Sequence, residues 1–322
     1  MKRIAVLTSG GDSPGMNACI RAVVRTALYH RMEVVGIIRG YEGMIDGDFI
    51  PMNAASVANI IHRGGTILKT ARSARFMKVQ WRRKAAEQLF RNQIEGVVVI
   101  GGDGSFRGAL ALSRLCDTRF VGCPGTIDND LAGTDFTIGY DTAINTVVDA
   151  VDKIRDTAES HERLFFVEVM GRDAGLIALR SGIGVGAEAI LIPEIRTDLS
   201  QLIRRLESGR KSKSSKIIIV SEHDDAGGAF AIAEKVKAKL PYYDTRVTVL
   251  GHIQRGGNPT AMDRVNASRM GYGAVEALRK GKKNVMAGII NNQIAFTPLE
   301  KCVKHIARPH KDLLVMMEIL SL

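Results

Sequence analysis

One aliphatic run opening into a glycine turn constrains this chain more than any other feature. Residues 97–105 read Val-Val-Val-Ile-Gly-Gly-Asp-Gly-Ser. That is a buried strand opening into a turn with one acid. Further short β-branched runs lie at 3–7, 34–38, 165–169, 217–220 and 247–250. Helical patterns separate them. Residues 17–30 carry Ile20, Val23, Val24, Ala27 and Leu28 at helical spacing, and residues 141–160 carry Ile144, Val147, Val151 and Ile154 on one side. Strands alternating with helices require mostly parallel sheets covered on both faces. Such sheets bind ligands at the C-terminal ends of their strands, which is where the glycine turn sits. The lobe boundary is expected near Gly139, where the glycine-rich stretch gives way to the long helix.

With 322 residues, 45% of them hydrophobic, the chain can bury two lobes. No segment has the apolar length to cross a bilayer, and the first aliphatic run is too short for a secretion signal. Cys19, Cys116, Cys123 and Cys302 have no zinc or CxxC spacing and read as thiols in a reducing cytoplasm. The formal charge of +11 raises nucleic acid as a partner. Aromatics are only 5% and no nucleic-acid motif is present, so the expectation is no nucleic acid and no membrane. Arginines that recognise phosphorylated small molecules account equally well for part of the charge.

Three constellations carry chemistry. Residues 8–17 (TSGGDSPGMN) follow the first strand and precede a helix. There, glycines admit a phosphate and the helix start favours an anion, although a plain strand–helix turn reads the same way. Within Gly102, Asp103, Gly104 and Ser105 the acid suits a Mg²⁺ ion riding on phosphate oxygens, or else a helix cap. Residues 124–130 (PGTIDND) put Thr126, Asp128 and Asp130 at alternate positions. An extended segment would point all three the same way. One acid could then take a proton while Thr126 donates to a moving phosphoryl group, the alternative being an Asx-rich surface turn. These segments are expected to converge around one migrating phosphoryl group. Arg163, Arg172, Arg246 and the run His252-Ile253-Gln254-Arg255 lie beside strands or glycine turns, as phosphate-binding forks do. Taken singly, an arginine is more often a solvated surface group and His252 more often structural, with Arg255, ahead of two glycines, the less ordinary case. Arg21 and Arg25, and Lys211 and Lys213, read alone as solvated basic faces.

At these residues the chain resembles the bacterial ATP-dependent 6-phosphofructokinases, almost end to end. The resemblance rests on LTSGGDSPGMNA at 7–18, RGGT at 63–66, TARS at 70–73, GGDGS at 101–105 and PGTIDND at 124–130. It continues with GTDFTIG at 133–139, KIRDTA at 153–158, SHER at 160–163, EVMGR at 168–172, GAE at 186–188, RVTVLGH at 246–252 and QRGG at 254–257. It implies transfer of the ATP γ-phosphoryl group to the 1-hydroxyl of fructose 6-phosphate, the committed step of glycolysis. The implied fold is two Rossmann-like three-layer α/β/α lobes with the active site in the cleft between them. Residues 1–139 with roughly 252–304 would form the nucleotide-binding lobe, and 140–251 with roughly 305–322 the sugar-phosphate lobe.

By the same resemblance Asp128 is the base, with Thr126 and Arg172 beside the transferring group. Gly11, Arg72, Ser73 and Gly102 to Ser105 match the nucleotide site, with Asp103 the Mg²⁺ ligand. Thr126, Ile127, Asp128, Met170, Gly171, Arg172, Glu222, His252, Ile253, Gln254 and Arg255 match the sugar-phosphate site. Arg163 and Arg246 match residues that reach a neighbouring subunit's site, which implies a homotetramer. Arg21, Arg25, Arg155, Gly186, Glu188, Lys211 and Lys213 match a regulatory site for ADP or phosphoenolpyruvate. Ser214 and Ser215 stand where the family commonly has Lys-His, so a blunted or altered effector response is expected. His223 stands where the family's usual Ala-Glu-Gly has glycine.

Pyrophosphate-dependent relatives tend to have Asp at the position of Gly104 and Lys at that of Gly125. Both are glycine here, so ATP is the expected donor and pyrophosphate the alternative. A catalytically dead nucleotide sensor would be expected to lack Asp103, Asp128 or Arg172, and all three are present.

Overall fold

The computed structural model describes residues 1–160, 163–208, 216–302 and 311–320. In chain order the elements are β1 (Arg3–Ser9), α1 (Met16–Tyr29), β2 (Glu33–Ile37), α2 (Gly40–Asp46), β3 (Phe49–Met52), α3 (Val79–Arg91), β4 (Gly96–Gly101), α4 (Asp103–Ser113) and β5 (Arg119–Pro124). Next come α5 (Tyr140–Ser160), β6 (Leu164–Val169), α6 (Leu176–Gly184), β7 (Ala189–Leu191), α7 (Leu199–Ser208), β8 (Lys216–Ser221), α8 (Gly228–Lys239) and β9 (Thr245–Val249). The last are α9 (Ala261–Arg279), β10 (Val285–Ile290), β11 (Gln293–Pro298) and α10 (Lys311–Leu320). They form two compact units. The first comprises Met1–Ile127, Leu131–Thr142 and Arg255–His305; the second comprises Asp128–Asp130, Ala143–Gln254 and Ile306–Leu322.

The first unit is built on a seven-stranded sheet of order β11-β10-β5-β4-β1-β2-β3. Its five inner strands are parallel, and the edge strands β3 and β11 run antiparallel to their neighbours. The strand period of two sorts β1 and β4 onto two cores. Ile4, Val6, Val98 and Ile100 pack with α1 and α9 on one face. Ala5, Leu7, Val97 and Val99 pack with α2, α3 and α4 on the other. This explains why residues 97–100 are all apolar: a strand covered on both faces has no solvent side. Ile20, Val23 and Val24 dock α1 with no exposed surface, each contributing about 2 kcal/mol of apolar burial.

In the second unit a four-stranded sheet has the order β7-β8-β6-β9, all pairs parallel. Leu164, Phe166, Ile218 and Val220 face a core closed by α7 and α8. The first unit's share of α5 ends at Thr142, three residues beyond Gly139. Asp263, near the start of α9, accepts from the Gly139 and Thr142 N–H groups at 2.8 Å each and from the Thr142 hydroxyl, anchoring that first turn to α9.

Candidate active site

The strands β1 and β4 lie side by side, and their connections leave toward opposite edges of the sheet, a topological switch point. Both glycine turns hang from these two C-terminal ends. Gly101 permits the meeting: a β-carbon there would lie 2.4 Å from Ser105 Oγ and 2.5 Å from the Ser9 carbonyl oxygen. Ser105 donates its hydroxyl to that carbonyl at 3.0 Å, tying the two turns together. Thr70 donates to the Gly10 carbonyl at 2.7 Å, and Gly10 takes φ +90°, a conformation that favours glycine. Arg255 lies over the same turn, donating from Nη1 to the Asp12 carbonyl at 3.3 Å.

Asp103 opens α4 behind Gly102, and Arg107 Nε donates to its carboxylate at 3.0 Å. The partly exposed carboxylate beside a glycine turn is a single hard oxygen donor. Among the described residues no three His, Cys, Asp or Glu side chains cluster to hold a metal by themselves. That donor set fits Mg²⁺, which is normally held by one or two carboxylates together with substrate phosphates and water. Arg72 is exposed. Ser73 donates to Glu42, and Arg75 donates to Glu42 at 2.6 Å and to Asp46 at 2.8 Å. The Ser73 hydrogen bond and Arg75 hold the Glu42 carboxyl below its ordinary range.

One positioning residue here escaped the sequence reading. Tyr41 is buried, stacks on Phe76 at 4.1 Å between centroids, and donates to the Ser105 carbonyl at 2.6 Å. It reaches α4 only through the tertiary fold, so no local spacing announces it.

The extended run expected over 126–130 does not form. Ile127 and Asp128 lie in a bend, and Asn129 takes φ +52°, so simple alternation is lost there. Gly125 and Ile138 form an isolated parallel bridge, and Thr137 donates to the Thr126 carbonyl at 2.6 Å. These contacts end the strand early and turn the chain. Asp128 and Asp130 are nevertheless both buried, which argues against a solvated Asx turn.

In the second unit the C-terminal ends of β6 and β8 hold the Arg172 turn. Arg172 Nε lies 3.4 Å from Asp128 Oδ2, the arginine side chain 44% exposed and the aspartate 3%. Glu222 Oε1 accepts from the backbone N–H groups of Gly171 at 3.2 Å and Arg172 at 2.9 Å. Gln254 Oε1 accepts from the Met170 N–H at 2.8 Å. His223 Nδ1 pairs with Asp173 Oδ1 at 3.0 Å, so the histidine adds a second link between the same two loops. Arg163 and Arg246 share one partner, Asp244, at 2.7 Å and 3.0 Å. The Arg163 hydrogen bond holds the Asp244 carboxyl below its ordinary range. His252 and Ile253 are exposed.

Of the residues matched to a regulatory site, Arg21 is half-buried and Arg25 exposed on α1. Arg155 donates to the Val185 carbonyl, Gly186 takes φ +61°, and the Glu188 N–H donates to the Ile217 carbonyl at 2.8 Å. Lys211 and Lys213, with Ser214 and Ser215, lie outside the described residues.

The sequence model of the phosphofructokinase family matches residues 3–278. An "ATP-dependent 6-phosphofructokinase" of Cytophaga hutchinsonii is 54% identical over 322 residues, covering 100% of this chain and 98% of that protein. The "ATP-dependent 6-phosphofructokinase 1" of Thermus thermophilus is 53% identical, with 100% of both chains covered. Among solved structures, phosphofructokinase from Saccharomyces cerevisiae superposes with a TM-score of 0.89 at 36% identity. The match takes in 100% of this chain but only 48% of the yeast chain, so this protein spans about half its length. A pyrophosphate-dependent phosphofructokinase from Marinobacter aquaeolei superposes with a TM-score of 0.87 over 99% of this chain and 91% of that one. At 23% identity that likeness speaks for the fold alone. The chain belongs to the phosphofructokinase family.

Proposed function

We propose that this protein transfers the γ-phosphoryl group of ATP to the 1-hydroxyl of fructose 6-phosphate, yielding fructose 1,6-bisphosphate and ADP. The pairing of exposed Arg172 with buried Asp128 carries the reading, because it puts a fixed cation beside the carboxylate proposed as base. Asp128 accepts the proton of the 1-hydroxyl as that oxygen bonds to the γ-phosphorus. The bond from that phosphorus to the bridging oxygen breaks, and ADP leaves with the electron pair. Arg172 and the Thr126 hydroxyl offset the charge on the moving group, the main protein contribution in phosphoryl transfer. Asp103 would hold Mg²⁺, which when bound neutralises phosphate charge.

Gly11, Arg72, Ser73 and the 102–105 turn hold the donor. Met170, Gly171, Arg172, Glu222 and His252 hold the acceptor, and Arg255 serves its phosphate. Arg163 and Arg246 act on a neighbouring subunit's acceptor in a homotetramer. ADP and phosphoenolpyruvate act at the site of Arg21, Arg25, Arg155 and Glu188, more weakly than in relatives with cations in place of Ser214 and Ser215. Full-strength regulation of velocity by both effectors would contradict that last point. Four free cysteines accord with a reducing cytoplasm. No helix among the described residues is long and apolar enough to cross a membrane.

ATP rather than pyrophosphate is favoured by Gly104, where a β-carbon would meet nothing within 4 Å. The space an acidic side chain would fill is left for the rest of the nucleotide. A coupled assay with fructose 6-phosphate and either donor tests the reading. Turnover with ATP and little with pyrophosphate is expected; the reverse preference, or none with either, would overturn it.

A further inference from the structure

We propose that Gln254 is a positioning residue for this transfer, its buried amide holding the Met170–Arg172 turn so that Arg172 stays on Asp128. The proposal rests on the kinase reading above. Gln254 has no exposed surface, unlike its neighbours His252 and Ile253. Its Oε1 is therefore a buried acceptor held against the protein.

Met170 is the first residue beyond β6, where ladder hydrogen bonding ends. Its N–H is taken by Gln254 Oε1 at 2.8 Å. The next two N–H groups, those of Gly171 and Arg172, are taken by Glu222 Oε1. Three successive donors are thus satisfied by two side chains from separate segments. The turn needs such restraint. Arg172 sits at φ +54°, a conformation that costs a residue with a β-carbon about 1–2 kcal/mol. Gly171 takes φ +149°, and a β-carbon there would lie 2.5 Å from the Ala174 carbonyl oxygen. An apolar side chain of equal volume at 254 would fill the space without desolvating an amide. It would, however, strand the part-buried Met170 N–H, and an unmade hydrogen bond away from water is the larger loss. Freed at its first residue, the turn can relax from the left-handed conformation, and the guanidinium of Arg172 drifts from Asp128.

The test compares wild type with Gln254→Met, which keeps volume and removes the acceptor, and Gln254→Glu, which restores an acceptor. With ATP and fructose 6-phosphate, Gln254→Met should lower kcat about 10- to 100-fold, the cost of a misplaced catalytic group, while KM for ATP stays within about twofold. Gln254→Glu should recover part of the loss. In an Arg172→Ala background the same Gln254→Met change should cost less than about twofold, because the group it positions is already gone. Equal losses in both backgrounds, or wild-type kcat in Gln254→Met, would overturn the proposal. Should Gln254→Met not fold, amide exchange of the wild type decides. A slowly exchanging Met170 N–H supports the tie, and one exchanging as fast as open loop amides overturns it. A wild type inactive with ATP would count against the kinase reading alone, since the exchange measurement stands apart from activity.

Discussion

A β-carbon on Gly11 would lie 2.8 Å from Nη1 of Arg255. The guanidinium of the residue matched to the sugar-phosphate site therefore occupies, within the first unit, the space a side chain would need at the residue matched to the nucleotide site. Gly11 is not at positive φ, and the obstructing atom ends a flexible side chain. Gly11→Ala should then fold normally but push the guanidinium off the Asp12 carbonyl. The expected outcome is a KM for fructose 6-phosphate raised about tenfold, the loss of one charge-assisted contact, with a melting temperature close to wild type. Steady-state kinetics beside a thermal melt check this; an unchanged KM would show that Arg255 does not serve the sugar phosphate.

Gly104 makes the complementary prediction. A side chain there meets open space, and an acid near the start of α4 suits the helix dipole, so Gly104→Asp should not lower stability. Against the phosphates of ATP the added charge costs several kcal/mol, and kcat/KM for ATP should fall by about 100-fold or more. Titrating ATP at saturating fructose 6-phosphate measures it.

Asp263 gives stability a pH dependence of known sign. Burial pushes its carboxyl from the ordinary 3.8 up to about 6, against the opposing hydrogen bonds of Thr142 and Gly139. The folded state thus binds the proton more tightly than the unfolded chain. The resulting stabilisation is complete below pH 3.8 and is lost as pH rises through about 6. About two pKa units correspond to about 3 kcal/mol. Asp263→Asn cannot titrate, so wild type should lose about that much stability relative to the variant between about pH 4 and pH 7. Urea midpoints at the two pH values check the difference, which would be flat if the carboxyl were ordinary.

The alternation of β-branched runs with helical patterns made the parallel sheets legible, because strands covered on both faces are mostly aliphatic along their central residues. The strands β5, β10 and β11 were not legible. Their Gly122, Pro124, Gly288 and Pro298 break the aliphatic signal, and their pairing comes from the sheet. Pro51 hid β3, an edge strand whose proline is tolerable for want of an outer neighbour. The glycine–acid turns were legible because backbone needs force their residue types. Tyr41 and Asp263, and the tie made by Gln254, were not, since each acts across the fold on a backbone group remote in sequence. The bend at Asp128 was legible only as the alternative, an Asx-rich turn, whose signal is Asn129, a residue type that tolerates the left-handed region.

The most direct test of the account is the turnover of Asp128→Asn in the coupled assay with ATP and fructose 6-phosphate. An amide keeps the shape of the side chain beside Arg172 but cannot accept the hydroxyl proton. The variant's kcat should be lower by about 10²- to 10⁴-fold, with KM for both substrates changed little. A variant turning over at the wild-type rate would remove Asp128 from the base role and contradict the account.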